Sequence, residues 1–203
     1  AGTLQAALNA ASAGDELVLA DGTYSGVGTS YAGNNMLYID KDVTIRALKS
    51  GQAVLDGQDA RRVIYIRSGT VVLDGLRITN GRAAAWFSDR GGGVYVAINY
   101  PHTGTINNCD ILNNHAVHQG GGIQVQASGG MVRLANCQIH SNTAGQGSNM
   151  YVRGGSSVCT FAMSLTGVSG SVSTCAAPPP SPPSPPSPPP SPPSPPSPPP
   201  SPP

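Results

Sequence analysis

Leu37-Tyr38-Ile39 returns as Ile64-Tyr65-Ile66, Val94-Tyr95-Val96, Ile123-Gln124-Val125 and Met150-Tyr151-Val152, at steps of 27, 30, 29 and 27 residues. A period of this size marks a chain in which each turn buries its apolar face only by stacking on its neighbours. The phrases set β-branched and aromatic residues in apolar/polar alternation and are separated by Gly and Asn, so each turn is predicted to be built of short strands. The pattern predicts an all-β chain, a solenoid of the parallel β-helix type.

A second strand in each turn keeps the same register. Leu73 to Ala83 lines up with Ile106 to Ala116 and with Leu134 to Ala144, and the apolar positions of these eleven columns lie two apart, the side-chain period of a strand. The columns just after them are Asn, Gly and Ser. They are predicted to stack as ladders at one corner, where Asn and Gly tolerate left-handed backbone and Asn side chains bond from turn to turn. In Phe161-Ala162-Met163-Ser164-Leu165 the spacing slips by a residue, as expected of an atypical terminal turn.

The chain has 203 residues, and from Pro178 to Pro203 there is only Pro and Ser. This divides it into a folded domain, residues 1–177, and a tail, residues 178–203. Eleven basic and ten acidic side chains leave a net charge of +1, with no basic patch to argue for nucleic acid and no acidic run to hold cations. No apolar stretch approaches the roughly 20 residues of a membrane span. A chain opening at Ala1 without Met reads as a mature form that has lost a signal peptide, and four cysteines in a Gly-rich chain fit an oxidising, extracellular setting. Without any Asn-x-Ser/Thr acceptor, glycans are expected to be O-linked.

Ahead of the first turn, Leu4, Ala7, Leu8 and Ala11 recur at helical spacing between Thr3, a candidate N-cap, and Gly14, a candidate stop. A helix over Thr3 to Ala13 would cover the apolar end of the solenoid. The run Leu4 to Tyr24 resembles the opening of right-handed β-helix proteins of the pectin-lyase-like superfamily. Val54-Leu55-Asp56-Gly57, Leu73 to Gly81 and the Asn-rich turns before Gly120-Gly121-Gly122-Ile123 are similar to the repeats of chlamydial polymorphic outer-membrane proteins. The two resemblances span about Leu4 to Val152 and imply a right-handed β-helix; enzymes, adhesins and inert fibres all use it.

A polysaccharide lyase or hydrolase on this fold needs carboxylates and a basic residue gathered in one groove, with paired carboxyls roughly 5 to 10 Å apart. Asp56 and Asp59 lie three residues apart, and Asp74, Asp89 and Asp110 occupy different columns of different turns. Asp56-Gly57 and Asp74-Gly75 read as turns in which Asp bonds its own backbone ahead of a Gly of positive φ. His115 and His118 have the spacing of a metal pair but lie in a corner without a third ligand, so they read as solvent-facing. Gly91-Gly92-Gly93 and Gly120-Gly121-Gly122 precede strands, not helices, and read as turn glycines, not a phosphate loop. No catalytic residue, metal or cofactor is expected. Trp86 and Phe87, in the excursion from Arg82 to Arg90, cannot both be buried in one core; they either pack on the outside of the turn or form a subunit contact or sugar platform.

Cys109 and Cys137 share one core-facing column a turn apart, at the roughly 4.8 Å spacing of parallel strands, which permits either a bridge or two buried thiols. Cys159 and Cys175 bracket the last turn and are expected to form a disulfide that ties it down.

The tail reads Pro-Pro-Pro-Ser-Pro-Pro-Ser-Pro-Pro-Ser, repeats those ten letters and begins a third copy. Proline without amide hydrogens and serine without apolar area cannot make a core; the predicted form is polyproline II, with about 3.1 Å of rise per residue and a span of roughly 80 Å. It resembles the hydroxyproline-rich glycoproteins, the extensin-like and green-algal cell-wall proteins. That resemblance implies hydroxylation and arabinosylation of Pro178, Pro179, Pro180, Pro182, Pro183, Pro185, Pro186, Pro188, Pro189, Pro190, Pro192, Pro193, Pro195, Pro196, Pro198, Pro199, Pro200, Pro202 and Pro203. It implies galactosylation of Ser181, Ser184, Ser187, Ser191, Ser194, Ser197 and Ser201. The tail lacks the Tyr and Lys of plant extensins, which argues against covalent cross-linking into a wall.

These readings point to a non-catalytic extracellular structural glycoprotein. It would self-assemble into a fibre, cell wall or surface coat and carry O-linked arabinose- or galactose-type glycans. A polysaccharide lyase or hydrolase tethered to a wall, and a carbohydrate-binding or adhesion module, are the alternatives.

Overall fold

The computed structural model describes residues 3–26, 34–84 and 89–175. Among these residues the protein is mostly β, with one short helix, and every pairing between the strands is parallel. Seven strands follow one another across the largest sheet: β1 (Glu16–Leu19), β4 (Val43–Ala47), β7 (Val71–Asp74), β11 (Thr103–Asn107), β15 (Met131–Ala135), β18 (Ser157–Phe161) and β20 (Ser173–Thr174). Five more form a second sheet: β2 (Gly22–Ser25), β5 (Ala53–Asp56), β8 (Leu76–Thr79), β12 (Asp110–Leu112) and β16 (Gln138–His140). The third has six: β3 (Asn35–Ile39), β6 (Arg62–Ile66), β10 (Val94–Val96), β14 (Ile123–Val125), β17 (Met150–Val152) and β19 (Val168–Ser169). A two-stranded ladder joins β9 (Arg82–Ala83) to β13 (His115–Ala116).

The third sheet collects the repeated phrase in register, Leu37 beside Ile64, Ile64 beside Val94, Val94 beside Ile123 and Ile123 beside Met150. Alternation decides the faces. In β4, Val43, Ile45 and Ala47 are buried while Thr44 and Arg46 between them are half-buried, and β15 repeats the pattern with Val132 and Leu134 inward. The inward residues of all three large sheets join in one apolar cluster from Leu8 to Val158. Apolar area leaving water there supplies the main drive to fold.

Single left-handed residues turn the chain from the seven-stranded to the five-stranded sheet. Gly75, Asn108 and Asn136 hold φ of 67°, 52° and 52°, Ala162 holds 50° at the matching point after β18 with β19 of the six-stranded sheet as the next strand, and Asn80, Asn113 and Ser141 repeat the device after the five-stranded sheet's strands at 52°, 54° and 55°. Asn136 Nδ2 donates to Asn108 Oδ1 (3.3 Å) and Asn108 Nδ2 to Asp74 Oδ1 (2.7 Å), so this corner is laced from turn to turn. The last turn keeps register one step further than the slipped spacing suggested. Phe161 still pairs with Ala135, and Ala162 takes the left-handed corner; beyond it, among the described residues, pairing continues only through the two-residue strands β19 and β20. An L-residue other than Asn or Asp pays roughly 1–2 kcal/mol at such a corner. Ala162→Asn is therefore expected to stabilise the protein by about 1 kcal/mol, read as a higher urea midpoint at unchanged slope.

The helix α1 (Leu4–Ala10) is shorter than the Thr3 to Ala13 expected. Thr3 caps it, its Oγ1 accepting from Ala6 N at 3.2 Å, but its end is set by Lys41, whose Nζ donates to the carbonyls of Leu8, Asn9 and Ala11. Leu8 is buried against the cluster. Gln5 then stands in for a neighbouring strand at the edge of β3: Tyr38 N donates to its Oε1 (2.8 Å) and its Nε2 donates to Tyr38 O (3.2 Å). An edge strand left bare is a template for unwanted pairing, and a side-chain amide, donor and acceptor in one group, closes it.

Candidate functional surface

The carboxylates are dispersed, and four of them pair with cations of neighbouring turns. Glu16 meets Arg46 (2.6 Å), Asp21 meets Lys49 (2.9 Å), Asp59 meets Arg82 (3.2 Å) and Asp110 meets both Arg77 (3.1 Å) and His140 (3.3 Å). Hydrogen bonding to Glu16 raises the Arg46 guanidinium above its ordinary value, and Asp21 does the same for the Lys49 ammonium. Exposed pairs of this kind fix side chains more than they stabilise the fold.

Asp56 does what a turn aspartate should, accepting from Gln58 N at 2.8 Å. Asp74 differs: its partner is Asn108 one turn on. Gly75 has the positive φ expected, while after Asp56 that geometry falls on Gln58 (56°) and Asp59 (50°). Gly57 is required for a separate reason, since a Cβ there would lie 2.6 Å from Asn80 O and 2.7 Å from Arg61 O.

His115 and His118 do not converge. His115 Nδ1 lies 2.9 Å from Thr143 Oγ1, and His118 Nδ1 lies 2.6 Å from Asp89 Oδ2. No three metal-ligating side chains gather among the described residues.

Cys159 and Cys175 are joined by a disulfide, closing a loop of sequence separation 16. Closure of a loop this size stabilises by about 3 kcal/mol. Of the two states open to Cys109 and Cys137, the structure has the pair of buried thiols rather than a bridge. Cys137 Sγ donates to the carbonyls of Ile106 and Ala135 (both 3.2 Å). A hydrogen bond between the two thiols, reinforced by burial, pushes the Cys109 thiol well above the ordinary range, which keeps it protonated and unreactive.

A tyrosine stripe crosses the six-stranded sheet, where Tyr38, Tyr65 and Tyr95 hold the middle of successive phrases. Tyr38 and Tyr65 meet edge to face (5.4 Å), and Tyr65 and Tyr95 stack at 5.0 Å. Arg62, 1% exposed, lies over two of these rings, 5.4 Å from Tyr65 and 4.9 Å from Tyr95. Its Nε donates to the carbonyls of Arg90 (3.1 Å) and Gly91 (3.0 Å), Nη2 to Arg90 O (2.6 Å) and Nη1 to Asn35 Oδ1 (2.8 Å). Burial pushes the guanidinium down to about 10, so it stays charged at neutral pH, held by carbonyls and ring faces rather than by a carboxylate. The recurring Tyr was legible in the sequence; nothing marked Arg62 as buried.

Gln124 interrupts the stripe between Tyr95 and Tyr151, fully buried, with neither amide atom hydrogen-bonded. Burying an unsatisfied amide costs more than burying an apolar group of like shape. Gln124→Met is expected to raise stability by about 1 kcal/mol, seen as a higher midpoint in thermal unfolding.

At the late end of the sheets, a cleft of about 480 Å³ separates Asn136–His140 from Ala162–Thr166, lined by Ile139 and Met163 among others. Trp86, Phe87 and the whole tail, 178–203, lie outside the described residues, as does the boundary at 177.

No protein-family model, no curated protein and no solved structure matches the chain.

Proposed function

We propose that this chain is a non-catalytic extracellular structural glycoprotein, a subunit of a fibre, cell wall or surface coat. In this reading the body winds as a right-handed parallel β-helix of the pectin-lyase-like kind, and residues 178–203 leave it as a polyproline II rod, hydroxylated and O-glycosylated. The observation that carries the reading is the join between the two parts. A run of 26 Pro and Ser residues begins three residues after Cys175, whose disulfide to Cys159 ties the exit of the chain to the last rungs of the body. Such an anchor suits a rod that transmits force or holds a sugar coat at fixed distance.

Further support comes from how the body uses its polar groups. Carboxylates serve as partners for arginines, lysines and turn amides, and asparagines as rungs of ladders, so the polar side chains are spent on rigidity. Glycopeptide mass spectrometry on native material tests the reading directly. Hydroxyproline bearing pentose across 178–203, together with filaments in electron micrographs of the same material, is the expected result. Bare prolines on an isolated monomer would overturn it.

A further inference from the structure

Cys109 and Cys137 are the two cysteines that no bridge uses, and the fold places them side by side. Each follows a left-handed asparagine, Asn108 and Asn136, at the corner between the seven-stranded and the five-stranded sheet. Asp110 pairs with Gln138 immediately after them, and Gln138 N donates to Cys109 O (2.9 Å), so the two cysteines sit in register on adjacent turns. Paired parallel strands run roughly 4.8 Å apart, inside the range of about 4.4–6.8 Å between Cα atoms that a disulfide spans. The thiols are already joined by a hydrogen bond. Their proximity comes from the register of the turns, not from a chance approach of side chains.

The two sulfurs differ in access. Cys137 lines the cleft of about 480 Å³ between Asn136–His140 and Ala162–Thr166, whereas Cys109 does not and is 2% exposed. The cleft lies where the five-stranded sheet ends: β16 is its last strand, and the chain beyond Ala162 passes on to β19 without pairing to it. The acidities follow the same order. The hydrogen bond with Cys109 draws the Cys137 thiol below its ordinary range, while the same contact and burial hold Cys109 protonated. A thiol with more thiolate character, open to a cleft, attacks first; a protonated neighbour behind it resolves the product.

We propose that Cys109 and Cys137 form a dithiol site for low-molecular-weight disulfides, entered at Cys137 through the cleft and closed by Cys109. The Cys137 sulfur gives up its proton and attacks one sulfur of the reagent. The reagent's S–S bond breaks, and its other half leaves as a thiolate that takes up a proton. Cys109 then loses its proton and attacks the Cys137 sulfur, and the second half leaves in the same way. Two electrons and two protons pass from the pair to the reagent, which ends as two thiols. The new bridge ties the turn of β12 to that of β16, one turn before the Cys159–Cys175 bridge. The site is independent of any assembly the chain forms.

The full chain is incubated natively with hydroxyethyl disulfide and followed by intact mass and peptide mapping. The expected product has lost two hydrogens, carries a Cys109–Cys137 bridge and melts about 5–10 °C higher. Cys109→Ala is expected to stop at a single mixed disulfide on Cys137, and Cys137→Ala to take up reagent about tenfold more slowly or not at all. A wild-type chain that keeps both thiols, under conditions that oxidise the same chain in urea, would overturn the site. Equal uptake by the two variants would overturn entry at Cys137.

Discussion

Gly121→Ala is expected to leave the protein unfolded, or nearly so, at temperatures where the wild type is fully native. A methyl carbon at this position would lie 2.3 Å from the carbonyl oxygen of Thr143 and 2.5 Å from that of Ser148. Both are backbone atoms, and neither can retreat alone. Ala116 N donates to Thr143 O (3.0 Å) and Gly122 N to Ser148 O (3.1 Å), so a shift that admits the methyl group breaks the hydrogen bonds that join successive turns. Gly92 stands in the same relation one turn earlier, 2.3 Å from His115 O. Overpacking against side chains typically costs 1–3 kcal/mol; against paired backbone the expected cost is about 3 kcal/mol or more, a large part of the roughly 5–15 kcal/mol that holds a domain together. In a thermal melt this corresponds to a loss of about 10 °C. Gly154→Ala supplies the control. Nothing lies within 4 Å of its would-be Cβ and its φ is not positive, so that variant should match or slightly exceed the wild type. Equal melting of the two variants would refute the close approach of turns at Gly121.

Much of this architecture is legible in the sequence because it repeats. The recurring phrase at Leu37, Ile64, Val94, Ile123 and Met150 pairs residue for residue, and the column Asn80, Asn113 and Ser141 after each second strand does hold left-handed backbone, whereas Gly81, Asn114 and Asn142 beside it do not. Repetition makes a long-range contact readable as a local pattern. Features that occur once escape this logic. The helix stops at Ala10 because Lys41, some thirty residues away, takes its last carbonyls; no signal in the helix itself announces that. Arg62 opens a strand in a position where a solvent-facing cation is the ordinary expectation. It is buried because Arg90, Gly91 and Asn35 present oxygens to it from segments on either side. Gly57 was legible as necessary, but its necessity is the nearness of Asn80 and Arg61, not a positive φ.

The second large effect is expected from Asn142→Ala, which removes the middle rung of a buried ladder. Asn142 Oδ1 accepts from the backbone N of Asn114 (2.9 Å) and from its Nδ2 (3.1 Å), while Asn142 Nδ2 donates to Ile111 O (2.9 Å) and Asn149 Oδ1 (3.1 Å). Asn114 passes the chain on, its Oδ1 accepting from Gly81 N at 2.7 Å, and Asn149 continues it the other way to Thr166 O at 2.9 Å. Truncation leaves donors and acceptors of three neighbouring turns buried without partners, and each such group costs about 1–3 kcal/mol. The backbone of Asn142 has no positive φ, so alanine adds no strain and the loss reports the hydrogen bonds alone. About 3–5 kcal/mol is expected, measured as a fall in the urea midpoint. Asn136→Gly is the contrast: it deletes an exposed rung, keeps a residue suited to φ 52°, and should cost well under about 1 kcal/mol. In a double-mutant cycle, Asn114→Ala should cost much less in the Asn142→Ala background than in the wild type, because the two act as one network. Strict additivity of the pair would show that the rungs are independent, and the ladder would then be a row of separate caps rather than a spine running through the turns.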